Sequence, residues 1–125
     1  MRNMSFALTT DQIRARTKTV TRRLGWTFLK PGDLISAVKK CRGLKKGEKV
    51  ERIAVLRVND VRLEPLRNLF VEPRSELRRE GFPRMSTGEF IEMFCRSHRG
   101  CTPETTVTRI EFEFVDEAEQ KELGL

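Results

Sequence analysis

Two stretches of the chain carry apolar side chains in the pattern of β-strands. Ile110, Phe112 and Phe114 alternate with charged residues, and this period of two predicts a half-buried strand. Residues 50–61 are rich in β-branched side chains and form the strongest predicted strand. Two shorter predicted strands are residues 5–8 and residues 33–38, the second of them following a Pro-Gly turn.

Helical spacing marks a segment in the second half of the chain. Ser86 and Glu89 form a capping box, which predicts a helix that begins near residue 86. The apolar residues that follow lie on one face of that helix: Phe90, Ile91, Phe94 and Cys95. Two shorter helices are predicted at residues 11–15 and 75–79. Strands outnumber helices, so the predicted fold is mixed α/β but mainly β, a small β-barrel with two or three short peripheral helices.

The length and the apolar runs limit the class of protein. A chain of 125 residues is predicted to form a single domain spanning 1–125, with residues 116–125 as a solvated acidic tail. No apolar run approaches the roughly 18 residues of a membrane span, and the N-terminal segment lacks the apolar core of a secretory signal. We therefore expect no membrane partner and a cytoplasmic location.

Basic residues dominate the charge of the chain. The net charge is +7 and the isoelectric point is near 9.8, and such an excess favours polyanionic partners such as nucleic acids. One cluster supplies candidate RNA contacts: Lys39, Lys40, Lys45 and Lys46. The alternative is that these lysines form a solvated face that only keeps the protein soluble.

The segment 17–23 concentrates reactive groups, with one amine, three hydroxyls and two guanidiniums in seven residues. Lys18 and Thr21 are three positions apart, so they share a side on a helical turn or a bend but not on a flat strand. We therefore predict that this motif lies at a junction between a helix and a strand, with both side chains facing one cleft. The alternative is an ordinary strand start with solvated charge.

All three cysteines and the only histidine suggest a metal site. Cys95, His98 and Cys101 are spaced by three residues, and Cys41 could complete a tetrahedral site for a structural zinc ion. The alternative is that Cys95 is a small apolar residue on the helix stripe. An odd number of cysteines and the absence of a visible signal peptide argue against a disulfide framework.

An aromatic pair follows the reactive segment. Trp26 and Phe28 could stack a base of a single-stranded nucleic acid. Core packing is the commoner role for such side chains, and both interpretations remain open.

Taken together, the segment 13–23, the Lys30-Pro31-Gly32-Asp33 turn and the Glu80-Gly81-Phe82 segment resemble the ASCH family of the PUA-like β-barrel superfamily. The resemblance extends over nearly the whole chain and is closest to small ASCH proteins of phage and bacterial genomes. Members usually carry a Gly-Arg pair before the motif lysine, where this chain has Arg16 and Thr17. Without that glycine, the turn loses easy access to positive φ.

The resemblance implies a function in the barrel cleft, either RNA binding or an enzymatic reaction. One ASCH branch hydrolyses the acetyl amide of N4-acetylcytidine, and its active-site lysine, threonine and glutamate match Lys18, Thr21 and Glu80. Thr21 would then be the nucleophile, Lys18 its base and Glu80 the acid for the leaving amine. Arg22 and Arg23 would contact the substrate or RNA. No cofactor would be required, and a ribonuclease or a non-catalytic RNA-binding module are the alternatives.

Overall fold

The computed structural model describes residues 1–125 as a five-stranded sheet with four short α-helices. The strands are β1 (Arg2–Ser5), β2 (Val20–Arg23), β3 (Leu34–Val38), β4 (Arg52–Pro65) and β5 (Thr106–Val115). Their order in the sheet is β1-β3-β4-β5-β2, and the sheet curls into a half-barrel. Only β1 and β3 pair in parallel, because the other neighbouring pairs are antiparallel. The mixed α/β, mainly β fold is therefore confirmed.

The helices pack around this sheet and near its open edges. They are α1 (Thr10–Arg14), α2 (Pro73–Glu80), α3 (Thr87–Arg96) and α4 (Glu117–Glu122), and two 3-10 turns occupy Ala7–Thr9 and Leu66–Phe70. The capping box of α3 is present as predicted, with Ser86 and Glu89 bonded reciprocally. No helix of the protein is both long and apolar enough to cross a membrane.

Both ends of the chain show details that the sequence did not predict. The strand predicted at residues 5–8 overlaps β1 only at Ser5, because β1 spans Arg2–Ser5 and the 3-10 turn Ala7–Thr9 follows it. The acidic tail is mostly exposed and includes the helix α4, whose N-cap Asp116 accepts a hydrogen bond from the Glu119 amide. Glu119 also pairs with Arg57 on β4, which attaches this exposed helix to the sheet.

Two apolar clusters stabilise the molecule on different elements. The larger lies inside the curled sheet against α1 and includes Phe6, Ile13, Leu56 and Phe112. The smaller joins α2 and α3 to the second 3-10 turn and contains Leu66, Leu69, Leu77, Phe90, Ile91, Phe94 and Val107. The reactive segment is itself buried although it is polar, since Lys18, Thr21 and Arg22 are each at most 4% exposed.

Candidate functional site

The segment before β2 turns sharply so that Lys18 enters the protein. Arg16 has a φ of 60°, in the left-handed region that glycine usually occupies. The backbone amides of Thr17 and Lys18 both donate to the Gln12 carbonyl, which closes the turn after α1. The chain therefore makes the expected bend without glycine, and Lys18 is only 3% exposed.

The strand β2 then presents two polar side chains on one side. Thr21 and Arg23 are two residues apart, so they lie on the same face of the strand. The Arg23 Nε donates to the Thr21 hydroxyl at 3.0 Å, and Arg23 Nη2 donates to the Ser5 carbonyl at 2.7 Å. Because β1 and β2 are the two edge strands, Arg23 links the open edges of the half-barrel beside the cavity.

Glu80 reaches the site from the last residue of α2. Gly81 follows it with a φ of 96°, as is common after the end of a helix. A Cβ at Gly81 would lie 2.9 Å from the Gln12 Cγ and 3.6 Å from the Lys18 Cβ. Glycine is therefore needed here both for its backbone conformation and for the close approach of α1 to the end of α2.

A buried network of ion pairs joins these elements. The Lys18 Nζ donates to the Glu80 backbone carbonyl at 2.7 Å and to Glu80 Oε1 at 2.9 Å. Arg22 donates to Glu80 Oε2 at 3.0 Å and to Glu76 Oε1 at 2.5 Å. Arg109 binds Glu76 through both carboxylate oxygens, at 2.7 and 3.0 Å. Both Glu80 oxygens are thus held by cations, and the network fixes their position.

Burial and charge shift the pKa values of Lys18 and Glu76 in this network and of Arg23 beside it. Burial lowers the pKa of Lys18, and the charges of Arg23 and Arg22 lower it further, although the Glu80 carboxylate opposes the change. Burial also lowers the pKa of Arg23 to about 10, against the opposing effect of Glu80. For Glu76, burial raises the pKa, but the hydrogen bonds from Arg109 and Arg22 outweigh it and bring the pKa to about 2.

Lys18, Thr21, Arg23 and Glu80 line one cavity of about 250 Å³. The other side is largely apolar and is formed by the Phe6–Thr9 segment and by residues of α3 and its approach: Phe82, Phe90, Met93 and Phe94. The Arg23 guanidinium lies over the Phe6 ring at 4.7 Å. The structure therefore brings the three predicted catalytic side chains into one cleft, with polar groups on one side and aromatic rings on the other.

The predicted RNA-binding residues do not all present a free side chain to the cavity. Arg22 is among the residues that line the cavity, but its side chain is only 1% exposed and its terminal nitrogens already bind Glu76 and Glu80. Trp26 packs against the larger apolar cluster and contacts Phe28 with ring centroids 5.5 Å apart. It does not line the cavity, which agrees with the core interpretation.

Residues 39–51 connect β3 to β4 and form a basic loop that carries the four candidate lysines. Lys39, Lys45 and Lys46 are exposed, and Lys40 is partly exposed and pairs with Glu48 at 3.3 Å. Lys39 and Lys40 border Ala7, which also lines the cavity. Only the first part of the loop is therefore shown to lie near the cavity.

The four candidate zinc ligands do not form a metal site in this structure. Cys95 and Cys101 are joined to each other as a disulfide, which the sequence arguments had not favoured. Cys41 is an exposed free cysteine in the basic loop, and His98 Nδ1 lies 2.8 Å from the Phe94 carbonyl. No group of three or more potential metal ligands is found anywhere in the chain. The residues therefore do not fit a Cys₃His zinc site.

His98 also lies where the sequence did not indicate it. It lines the same cavity as Lys18 and Thr21, although it is 77 positions or more from both in the chain. The sequence places His98 far from the reactive segment, and the packing of α3 against α2 and the second 3-10 turn brings it to the cavity. His98 follows Phe94 by four residues, about one helical turn, and this spacing was the sequence feature that could have placed it near the apolar face of α3.

Comparison with known proteins supports the fold. No protein-family model and no curated protein matches the sequence. The structure is similar to an ASCH domain from Lactobacillus crispatus JV V101 at 13% identity, with 90% of this chain and 78% of that chain covered and a TM-score of 0.63. A DUF984 family protein from Enterococcus faecalis V583 matches at 16% identity, 98% and 80% coverage and a TM-score of 0.60.

A further neighbour is a ZmASCH mutant protein from Zymomonas mobilis. It matches at 15% identity, with 97% of this chain and 75% of that chain covered and a TM-score of 0.54. Likeness at these identities establishes the fold, and the fold is that of ASCH domains. The resemblance found in the sequence is thereby confirmed at the level of structure.

Proposed function

We propose that this ASCH-fold protein binds RNA or a modified nucleoside in the cavity and hydrolyses the acetyl amide of N4-acetylcytidine. One observation carries the proposal. Lys18, Thr21 and Glu80, which are up to 62 positions apart in the chain, line one cavity beside a guanidinium that donates to the Thr21 hydroxyl. A buried amine, a hydroxyl and a carboxylate together are the groups that acyl transfer requires.

Thr21 is the nucleophile in this proposal. A threonine hydroxyl is a weak nucleophile and needs a base that removes its hydrogen. Because the Arg23 Nε already donates to its oxygen, negative charge that develops on that oxygen meets a fixed donor. The hydroxyl hydrogen is not used by this contact and can be transferred to a base.

Lys18 acts as that base in its neutral form. Its pKa is lowered by burial and by the neighbouring guanidiniums, which makes the neutral amine more accessible. A neutral amine has two hydrogens, enough to keep both hydrogen bonds to Glu80 while its lone pair accepts the Thr21 hydrogen. No hydrogen bond joins Lys18 to Thr21 in the free protein, where Lys18 contacts Glu80 and Thr21 contacts Arg23, so in this proposal the neutral amine contacts Thr21 when substrate is bound.

Glu80 is not the acid in this proposal, although the family resemblance implied that role. Both of its carboxylate oxygens accept hydrogen bonds from cations, and an acid needs a hydrogen to give. We assign it to holding Lys18, and we assign protonation of the leaving cytidine amine to the Lys18 ammonium formed in the first step. Water then hydrolyses the threonyl ester, returns the hydroxyl hydrogen to Thr21 and releases acetate.

The cavity walls suit one small planar ligand. The cavity volume of about 250 Å³ lies just below the range of about 300–1,000 Å³ that is typical of pockets for drug-sized ligands. The aromatic wall offers rings on which a base could stack. If the nucleoside lies within RNA, the neighbouring lysines of the basic loop would contact its phosphates.

The test compares matched threonine variants. Purified wild type, Thr21→Val and Thr19→Val are incubated with N4-acetylcytidine, and cytidine and acetate are measured by chromatography. Thr19 lies just before β2 and does not line the cavity, so Thr19→Val controls for loss of a hydroxyl. We expect release by wild type and Thr19→Val and loss of release in Thr21→Val.

Two other results would redirect the proposal. Absence of release from wild type, together with salt-dependent binding of single-stranded RNA, would favour a non-catalytic RNA-binding module. Cleavage of that RNA into fragments would favour a ribonuclease. Equal release by Thr21→Val and wild type would show that Thr21 is not the nucleophile.

A further inference from the structure

His98 is a cavity residue that the proposed reaction does not use. It is the only histidine in the chain, and it lies just after α3, which ends at Arg96. It shares the cavity with Lys18, Thr21 and Glu80. Its side chain is partly exposed, so a ligand in the cavity can touch it.

The imidazole is held in one orientation by several contacts. Its Nδ1 lies 2.8 Å from the Phe94 carbonyl, and its ring stacks on the Phe94 ring with centroids 4.5 Å apart at 25°. The backbone amide of His98 donates to Cys95, and the amide of Cys101 donates to His98. The disulfide between Cys95 and Cys101 closes this turn. A side chain fixed in this way loses little freedom when a ligand binds.

The contact at Nδ1 determines the chemistry of the other ring nitrogen. A carbonyl oxygen only accepts hydrogen bonds, so the nitrogen that contacts it must carry the hydrogen. In the neutral ring Nε2 is then an acceptor. No protein group bonds to Nε2, whereas Nδ1 is occupied. The turn after α3 therefore offers the cavity one fixed, unused acceptor.

We propose that His98 is a specificity-determining residue, whose Nε2 accepts a hydrogen bond from an N–H group of the bound base while its ring extends the aromatic wall of Phe94. The inference rests on the proposed function and names a contact of that same cavity. Lys18, Thr21 and Glu80, on the polar side of the cavity, act at the acetyl group. His98 selects a planar ligand that carries an N–H donor. An N-acylated cytosine has such a donor at its amide nitrogen.

The test uses three variants and separates binding from turnover. His98→Phe keeps a ring for stacking but removes Nε2, and His98→Gln places an amide oxygen near the same position. Arg99→Ala changes the neighbouring exposed residue and serves as the control. With N4-acetylcytidine as substrate, we expect His98→Phe to raise KM about three- to tenfold with kcat little changed, because one neutral hydrogen bond is lost. His98→Gln should recover part of that loss, and Arg99→Ala should match wild type.

Nuclear magnetic resonance gives a second readout. Because the chain has one histidine, its imidazole signals need no assignment, and we expect them to report the Nδ1–H form and to shift saturably with N4-acetylcytidine. Turnover with an unchanged KM in His98→Phe and unmoved imidazole signals would overturn this inference and leave the proposed function intact. No cytidine release and no imidazole response at any concentration would overturn both.

Discussion

Removing the Glu76 carboxylate tests the buried network that holds the site. Glu76 binds Arg22 and Arg109, and Arg22 in turn binds Glu80. The two arginines bring the pKa of Glu76 from its ordinary 4.5 to about 2. Because one pKa unit corresponds to about 1.4 kcal/mol, the charged form stabilises the fold by about 3 kcal/mol at neutral pH.

The sign of the pH dependence follows from this shift. Between about pH 4.5 and pH 2 the unfolded chain binds the Glu76 proton and the folded protein does not. The free energy of unfolding therefore falls as the pH is lowered through this window. Glu76→Gln has no charge to lose, so the stability difference between it and wild type should shrink by about 3 kcal/mol across the same window.

The assay is urea unfolding of both proteins at a series of pH values. At pH 7 we expect Glu76→Gln to be less stable by about 3–5 kcal/mol, because it leaves Arg22 and Arg109 buried without their shared partner. Glu92→Gln is the control, since Glu92 forms an exposed pair with Arg96 that contributes about 0.3–0.5 kcal/mol. A stability difference between wild type and Glu76→Gln that stays constant from pH 7 to pH 2 would show that the Glu76 charge does not stabilise the fold.

Three further predictions concern the turns and the loop around the cavity. Gly81→Ala should destabilise the fold by at least about 1–2 kcal/mol in urea unfolding, since its φ is 96° and a Cβ would meet Gln12; unchanged stability would contradict this packing. Arg16→Gly should raise stability by up to about 1 kcal/mol, because Arg16 has a φ of 60°, and a loss of stability would show that its side chain matters more than its backbone. Replacing Lys45 and Lys46 by Gln should weaken binding of single-stranded RNA and reduce its salt dependence, whereas an unchanged salt slope would exclude the loop from binding.

The sequence predicted the fold well where local patterns determine it. The period-two stretch became β5 and the capping box began α3, because each depends on neighbouring residues. The bend that carries Lys18 was also predicted correctly from the spacing to Thr21. The edge-to-edge contact through Arg23 and Ser5 was not predictable, since it depends on how the whole sheet curls.

The site was only partly predictable for the same reason. Glu80 was found through the family resemblance, but its ion pairs with Lys18 and Arg22 span 62 and 58 positions. Arg22 looked like a surface contact because nothing in its neighbours shows that two glutamates lie behind it. The cysteines formed a plausible ligand pattern, yet spacing alone could not distinguish a metal site from a bond between Cys95 and Cys101.

The most direct test of the central claim is to look for the acetyl group on the protein. Wild type and Thr21→Val are mixed with N4-acetylcytidine, quenched at short times and digested, and the peptide that spans residues 19–22 is analysed by mass spectrometry. In wild type we expect the amount of peptide acetylated at Thr21 to rise and then fall as cytidine is released. In Thr21→Val we expect neither the acetylated peptide nor released cytidine. Cytidine release by Thr21→Val at the wild-type rate would contradict the claim.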